Sequence, residues 1–337
     1  MHPPPAGPGF VLRALRAGPG FVLRSLRAGP GFVLRSLRAG PGFVLRSLRA
    51  GPATAAFIAL ALLGAAACSG GEPPAASSSR VQVAAAFYPL AWVAERVGGG
   101  NADVIDLTPQ GAEPHDVELT SDQVVAVTQA DVMFYLGGGF QPAVEELASG
   151  MGEGAVDVLG SEGVEFVGED PHVWLDPLRM LGIVEVVAGR LAALDQGRAA
   201  AYKTKAASLT RELEALDADF RAVLGHCEQR ELVTSHEAFG YLAESYGLVQ
   251  VGIAGIDSAA EPSPQRLAEV ARFVDEHDVA TVFFERLLSP RIAQTIAEET
   301  GAATAVLDPL ESRPQAGDYT AAMRLNLVAL EEGLGCR

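Results

Sequence analysis

Residues 232–253 read LVTSHEAFGYLAESYGLVQVGI. A short β-branched run at 232–234 leads into a helix-forming segment at 238–246, and a second apolar run follows at 249–253. Strand, helix and strand in immediate succession predict a parallel pair covered by its connecting helix. The alternation continues downstream as a helix over 264–276, a strand over 279–284, a helix over 290–300 and a strand over 303–307. Ser263-Pro264 and Ser289-Pro290 mark two of the helix starts, since proline is pre-organised for a first helical position. In the first of these helices Leu267, Val270, Ala271 and Val274 fall on one face. Upstream the pattern gives a strand over 81–86, a helix over 90–97, a strand over 104–107, a helix over 122–129 and a strand over 132–136. Thr120 and Gln123 have capping-box spacing at the start of the second of those helices. The fold class is therefore α/β, built of parallel sheets flanked by helices.

Between the two alternating halves, 197–224 lacks strand signals. Leu209, Leu213, Leu216, Phe220 and Val223 recur at spacings of four and three, the period of one helical face. At about 1.5 Å per residue such a helix is about 42 Å long, enough to run along two small lobes and join them. The expected organisation is an N-terminal lobe at 80–196, a linking helix at 197–225 and a C-terminal lobe at 226–337. A rigid helical connection predicts little hinge motion.

The chain has 337 residues, a formal net charge of -17 and 49% hydrophobic residues. That composition supports a folded core, and the acidic balance argues against nucleic-acid binding, which needs a basic face. The first 67 residues run against the average, with eight Arg and no Asp or Glu. Residues 7–50 repeat the unit GPGFVLRSLRA, with Ala14 in place of Ser in the first copy. A Gly-Pro-Gly at every repeat breaks any helix, so 1–52 reads as a disordered or untranslated basic segment; a membrane-surface segment is the alternative. Residues 53–67 are uncharged and mostly apolar. They are too short to span a bilayer and have the features of a signal-peptide h-region. Ala65, Ala66 and Ala67 before Cys68 resemble a lipobox, which makes Cys68 the lipidated first residue of the mature protein and the Ser-, Gly- and Pro-rich 68–79 its tether to the membrane. In an exported domain the two remaining cysteines, Cys227 and Cys336, read as a disulfide, with a catalytic or metal-binding thiol as the alternative.

Six histidines occur, at 2, 115, 172, 226, 236 and 277. His115 lies in GAEPHD, His172 in DPHVWLDP and His236 in TSHEAFGY, each on a loop at a strand end or a helix start. Asp308 follows the strand over 303–307 in the same manner. Open parallel sheets place ligands at the carboxyl ends of their strands, so His115, His172, His236 and Asp308 are the candidate metal ligands. Three imidazoles and a carboxylate suit four-coordinate Zn2+, with Mn2+ or iron as the alternative. His2, His226 and His277 read as tail or surface residues, and His277 ends a helix where a cation suits the dipole.

The segments GAEPHDVELT, DPHVWLDP, VTSHEAFGYLAESYGL, EPSPQRLAEV, FFE and ETGAATAVLDPL resemble the metal-binding receptors of zinc and manganese ABC importers, the cluster nine or TroA-like solute-binding family. The resemblance covers about 80–337. It implies two α/β lobes joined by one backbone helix with the metal between them. His115, His172, His236 and Asp308 match the four ligand positions in order. A His at the third position goes with zinc receptors, whereas manganese receptors tend to carry Glu there. Many zinc receptors also carry a His-rich loop between the first two ligands, and no His occurs here between 115 and 172. The implied partners are a permease and its ATPase, and the implied state is a monomer anchored outside the cytoplasm. The contrasting reading is a secreted zinc hydrolase with Glu237 or Glu285 as base. Such a site keeps a coordination position open for water, and the chain contains none of HExxH, GxSxG or a similar signature; the expectation is therefore a receptor and not an enzyme.

Overall fold

The computed structural model describes residues 80–258 and 260–337. The repeat, the signal segment and Cys68 lie outside the described residues. Two four-stranded sheets share one topology. In the first, β1 (Val81–Ala85) pairs in parallel with β2 (Ala102–Asp106) and β3 (Val132–Tyr135), and β3 pairs with β4 (Ala155–Asp157), giving the order β2-β1-β3-β4. In the second, β5 (Glu231–Thr234) pairs with β6 (Val249–Gly252) and β7 (Thr281–Phe284), and β7 pairs with β8 (Ala303–Val306), giving β6-β5-β7-β8. The central strands are apolar because helices cover both faces of a parallel sheet.

In the N-terminal half the helices are α1 (Tyr88–Gly98), α2 (Ser121–Gln129), α3 (Pro142–Ser149) and α4 (Arg179–Leu194). The linking helix α5 (Ala199–Leu224) then precedes α6 (Gly240–Tyr246), α7 (Pro264–Glu276), α8 (Arg291–Thr300) and α9 (Tyr319–Gly333). Both bonds of the predicted capping box exist at α2, from the Thr120 N–H to Gln123 Oε1 at 2.8 Å and from the Gln123 N–H to Thr120 Oγ1 at 3.3 Å. Ser263 caps α7 by accepting from the Arg266 N–H at 3.1 Å. Asp176 does not cap α4, which begins at Arg179. It shapes the preceding turn instead, its carboxylate accepting from the Leu178 N–H at 2.8 Å. The short β4 and the helix α3 carry no strong sequence signal.

The linking helix runs unbroken for 26 residues. Its buried face is Tyr202, Leu209, Leu213, Leu216, Phe220 and Leu224, and it packs on α1, α4, α6 and α9. The final helix thus returns to the middle of the molecule, where Tyr319 lies against Trp92 of α1 with ring centroids 4.6 Å apart. One hydrophobic core consequently extends through both halves, from Val83 and Trp174 to Phe239, Leu307 and Met323. A second, smaller core of Val233, Val270, Val282 and Ile296 fills the space beneath α7 and α8. Polar bonds also cross between the halves: the Gly111 N–H donates to Ser312 Oγ at 2.6 Å, Arg313 pairs with Glu95 at 2.7 Å, and Tyr241 Oη donates to the Asp170 carbonyl at 2.8 Å. Opening a hinge would expose the shared core at about 25 cal/mol per Å2. Scattering profiles of the free and metal-loaded protein are expected to superimpose; a closure of tens of degrees would contradict a rigid linking helix.

Cys227 and Cys336 are joined by a disulfide across a sequence separation of 109 residues. It ties the end of α5 to the chain's last turn, beside the Glu228 N–H that donates to the Gly335 carbonyl. Closing so long a loop is worth about 2–5 kcal/mol, through loss of freedom in the unfolded chain. Replacing both cysteines with serine should lower the urea-unfolding free energy by that amount, while equilibrium metal binding by the folded fraction stays unchanged.

Candidate metal centre

Four side chains from four loops meet where the carboxyl ends of the two sheets face each other. His115 comes from the loop after β2, His172 from the loop after β4, His236 from the turn after β5 and Glu311 from the turn after β8. Each offers a ligand atom, and these atoms all lie within 4.8 Å of one another. The base of the His115 loop is closed by Gln123 of the capping box, whose amide donates to the Leu107 carbonyl at 2.7 Å. The loop's imidazole rests edge-on against Phe140 at 4.7 Å between centroids.

Two rings have their tautomers held from behind. His172 Nδ1 lies 2.7 Å from Asp170 Oδ1, and the same oxygen accepts the His172 backbone N–H at 3.0 Å. His236 Nδ1 lies 2.7 Å from Glu285 Oε1, while the His236 carbonyl accepts from Thr234 Oγ1 at 2.6 Å and Gln250 Nε2 at 3.1 Å. A carboxylate at Nδ1 keeps its proton there and aims the Nε2 lone pair forward, the usual support of a metal-ligating histidine. Gly240 makes room for the first of these pairs, because a Cβ at that position would lie 2.7 Å from Asp170 Oδ2.

The front of the site is a carboxylate among imidazoles. Glu311 Oε1 lies 3.5 Å from His115 Nε2, 3.4 Å from His172 Nε2 and 3.6 Å from His236 Nε2, and the last two nitrogens are 3.3 Å apart. Ligands held tetrahedrally at zinc distances are separated by about 3.3 Å, so the spacing fits a four-coordinate ion. Both Glu311 oxygens and His115 Nε2 are buried without a hydrogen-bond partner among the described residues. A buried carboxylate without hydrogen-bond donors is costly, and a cation among these four atoms would satisfy it.

Charge at the site is dominated by this arrangement. Burial opposes ionisation of Glu311, but the three imidazoles outweigh it and hold the carboxyl well below its usual range. Burial likewise opposes protonation of His236, yet Glu285 and Glu311 push it up to about 10. His172 is raised in the same way, burial being outweighed by Asp170 and Glu311. Glu285 is raised by its own burial. Burial, and then the charge of Glu311, push Glu113 up to about 8.

Three of the four ligands expected from the sequence are therefore together, and the fourth is not. The Asp308 carboxylate accepts the Leu310 N–H at 2.8 Å and lies 3.6 Å from Arg286 Nε. Asn326 clamps the same residue, donating to its carbonyl at 2.6 Å and accepting its N–H at 2.9 Å. Asp308 is thus the anchor of a turn, and an Asx turn of this kind occupies the carboxylate locally. Leu310 takes a φ of +55°, a strained value for a side chain of its size, and Glu311 follows it into the site. Asp-Pro at a strand end starts a turn, but the sequence holds two carboxylates there, Asp308 and Glu311, and does not say which of them enters the site. His226 is exposed, and His277 stacks on Phe273 at 4.2 Å, as expected for residues outside the site.

Comparison with known proteins places these features in a lineage. The chain is 31% identical over 288 residues to the zinc-binding protein AdcA of Streptococcus pyogenes, covering 75% of this chain and 56% of that relative; it spans little more than half of the relative's length. It is 32% identical over 305 residues to the high-affinity zinc uptake system protein ZnuA of Bacillus subtilis, covering 82% and 96%. Among solved structures, the Zn(II)-bound ZnuA-like domain of Streptococcus pneumoniae AdcA superimposes with a TM-score of 0.66 at 32% identity, covering 76% of this chain and 99% of that one. Residues 83–333 match the family model described as zinc-uptake complex component A, periplasmic, and the chain belongs to that family.

Proposed function

We propose that this domain is the metal receptor of an ABC importer, capturing one Zn2+ between its halves through His115, His172, His236 and Glu311 and delivering it to a membrane permease and its ATPase. One observation carries the reading: a fully buried Glu311 carboxylate oxygen, without a hydrogen-bond partner among the described residues, stands 3.4–3.6 Å from three imidazole Nε2 atoms. Kinship with proteins named for zinc binding and zinc uptake supports zinc as the cargo. The donor set agrees, since three imidazoles and one oxygen suit zinc better than the oxygen-rich shell preferred by manganese. Glu311 Oε2 is also buried and unpaired, and a manganese reading would draw on it as an extra oxygen. Four protein ligands fill a tetrahedral shell, whereas a zinc hydrolase leaves one position for water; the receptor reading is preferred for that reason. The Cys68 lipid anchor and a monomeric state belong to the same proposal.

Capture and release follow from the division of ligands between the halves. His115 and His172 come from the first half, His236 and Glu311 from the second. The ion closes the set only when both halves present their loops, and a permease that displaces either pair halves the coordination. The decisive measurement loads chelator-stripped protein with zinc and manganese together and reads the bound metal by elemental analysis. One equivalent of zinc is expected; manganese would change the cargo, and no stoichiometric metal would end the receptor reading. Replacing His236 or Glu311 with Ala should weaken zinc binding by more than about a hundredfold, beyond the usual loss of an outer-shell partner. Asp308→Asn, which keeps an oxygen for the Leu310 N–H, should cost far less.

Binding must also expel protons. With His236 raised to about 10 and His172 raised as well, the free receptor carries imidazole protons at neutral pH that the ion displaces. The sign follows: zinc affinity increases with pH through neutrality and is much weaker at pH 5 than at pH 7.5. Titration calorimetry at pH 7.5 in two buffers of different ionisation enthalpy should give different apparent heats. Equal heats would show that no proton leaves.

A further inference from the structure

The indole of Trp174 joins the two ligand-bearing halves at the back of the site. Trp174 stands two residues after His172 and is fully buried. Its ring lies against His172 at 5.0 Å, Phe87 at 4.7 Å and Phe140 at 5.5 Å between centroids, and Phe140 in turn supports His115. Its Nε1–H leaves this aromatic cluster and donates to the Pro309 carbonyl at 2.8 Å. Pro309 lies two residues before Glu311, in the turn that Asp308 and the strained Leu310 define. From below, Tyr319 Oη donates to the Trp174 carbonyl, so the residue is held at both its ring and its backbone. One side chain thus touches the ring of a ligand from the first half and hydrogen-bonds the turn that presents a ligand from the second.

We infer that Trp174 is a positioning latch: its indole N–H holds the Glu311 turn in register with His172 and His115, and so sets how long the cargo is retained. The inference rests on the receptor reading above. A bond that aligns ligands is strengthened by the ion that those ligands bind, because coupling between two equilibria is reciprocal. A buried neutral N–H···O bond is worth about a factor of five to ten in an equilibrium constant.

Trp174→Phe keeps an aromatic ring and removes only the donor. Zinc should dissociate from it about five to ten times faster than from the natural protein, measured by chelator-capture stopped flow. In a Glu311→Ala background the same substitution should cost nothing further, since the latch acts through that turn; a general loosening of the fold would add its cost in both backgrounds. Equal dissociation rates for Trp174→Phe and the natural protein, or an undiminished penalty in the Glu311→Ala background, would overturn the latch and leave the receptor intact. Failure of the natural protein to bind zinc would instead remove the receptor reading itself. Should Trp174→Phe not fold, the natural protein supplies the test, because its Trp174 Nε1–H should exchange with solvent about five to ten times more slowly when zinc is bound. Unchanged exchange would overturn the latch.

Discussion

Much of this molecule depends on one buried carboxylate that finds no hydrogen-bond donor among the described residues. Glu311 is buried among three imidazole nitrogens at 3.4–3.6 Å, and an ionised carboxyl in that position is tolerable only because cationic or metal-bound partners surround it. Under the receptor reading, imidazole protons serve in the free protein and a cation replaces them in the loaded one. The same constraint explains the supporting residues. Asp170 and Glu285 fix the tautomers behind the rings, and Asp308, Asn326 and the strained Leu310 deliver Glu311 to a place that an ordinary turn would not reach.

The two-half architecture divides the candidate ligands of this site. Each sheet contributes two, from loops at the carboxyl ends of its strands, where helix starts and exposed backbone leave room for function. Division alone would favour a loose hinge, yet the linking helix and the returning α9 share one core with both halves. The result is a site preformed by packing, so that little chain ordering opposes binding. The aromatic cluster of Phe87, Phe140 and Trp174 continues that packing up to the backs of His115 and His172.

Reading the chain without its structure went furthest where the information is local. The alternating strands and helices, the capping box at Thr120 and Gln123 and the cap at Ser263 all appear as expected, because each is written within a few residues. The linking helix was visible from the period of Leu209, Leu213, Leu216 and Phe220. Three histidines were recognisable because each follows a strand or precedes a helix within a distinctive motif. What escaped were elements whose signal is weak or whose role is distant. The three residues of β4 are too few to show a period. The final helix α9 has an amphipathic pattern, but nothing in it says that it returns to α5 and Trp92.

The fourth candidate ligand marks the boundary between the two kinds of information. The sequence alone determined that a carboxylate follows the last strand, and that it joins histidines at the ends of other strands. Asp308 and Glu311 both satisfy that description, and local chemistry does not choose between them. Tertiary structure chose, because Asn326 from α9 clamps the Asp308 backbone and the Leu310 N–H takes up its carboxylate, while the positive φ of Leu310 turns Glu311 inward. A residue's type and spacing state what it is able to bind; which way it faces is decided by the packing of segments far away in the chain.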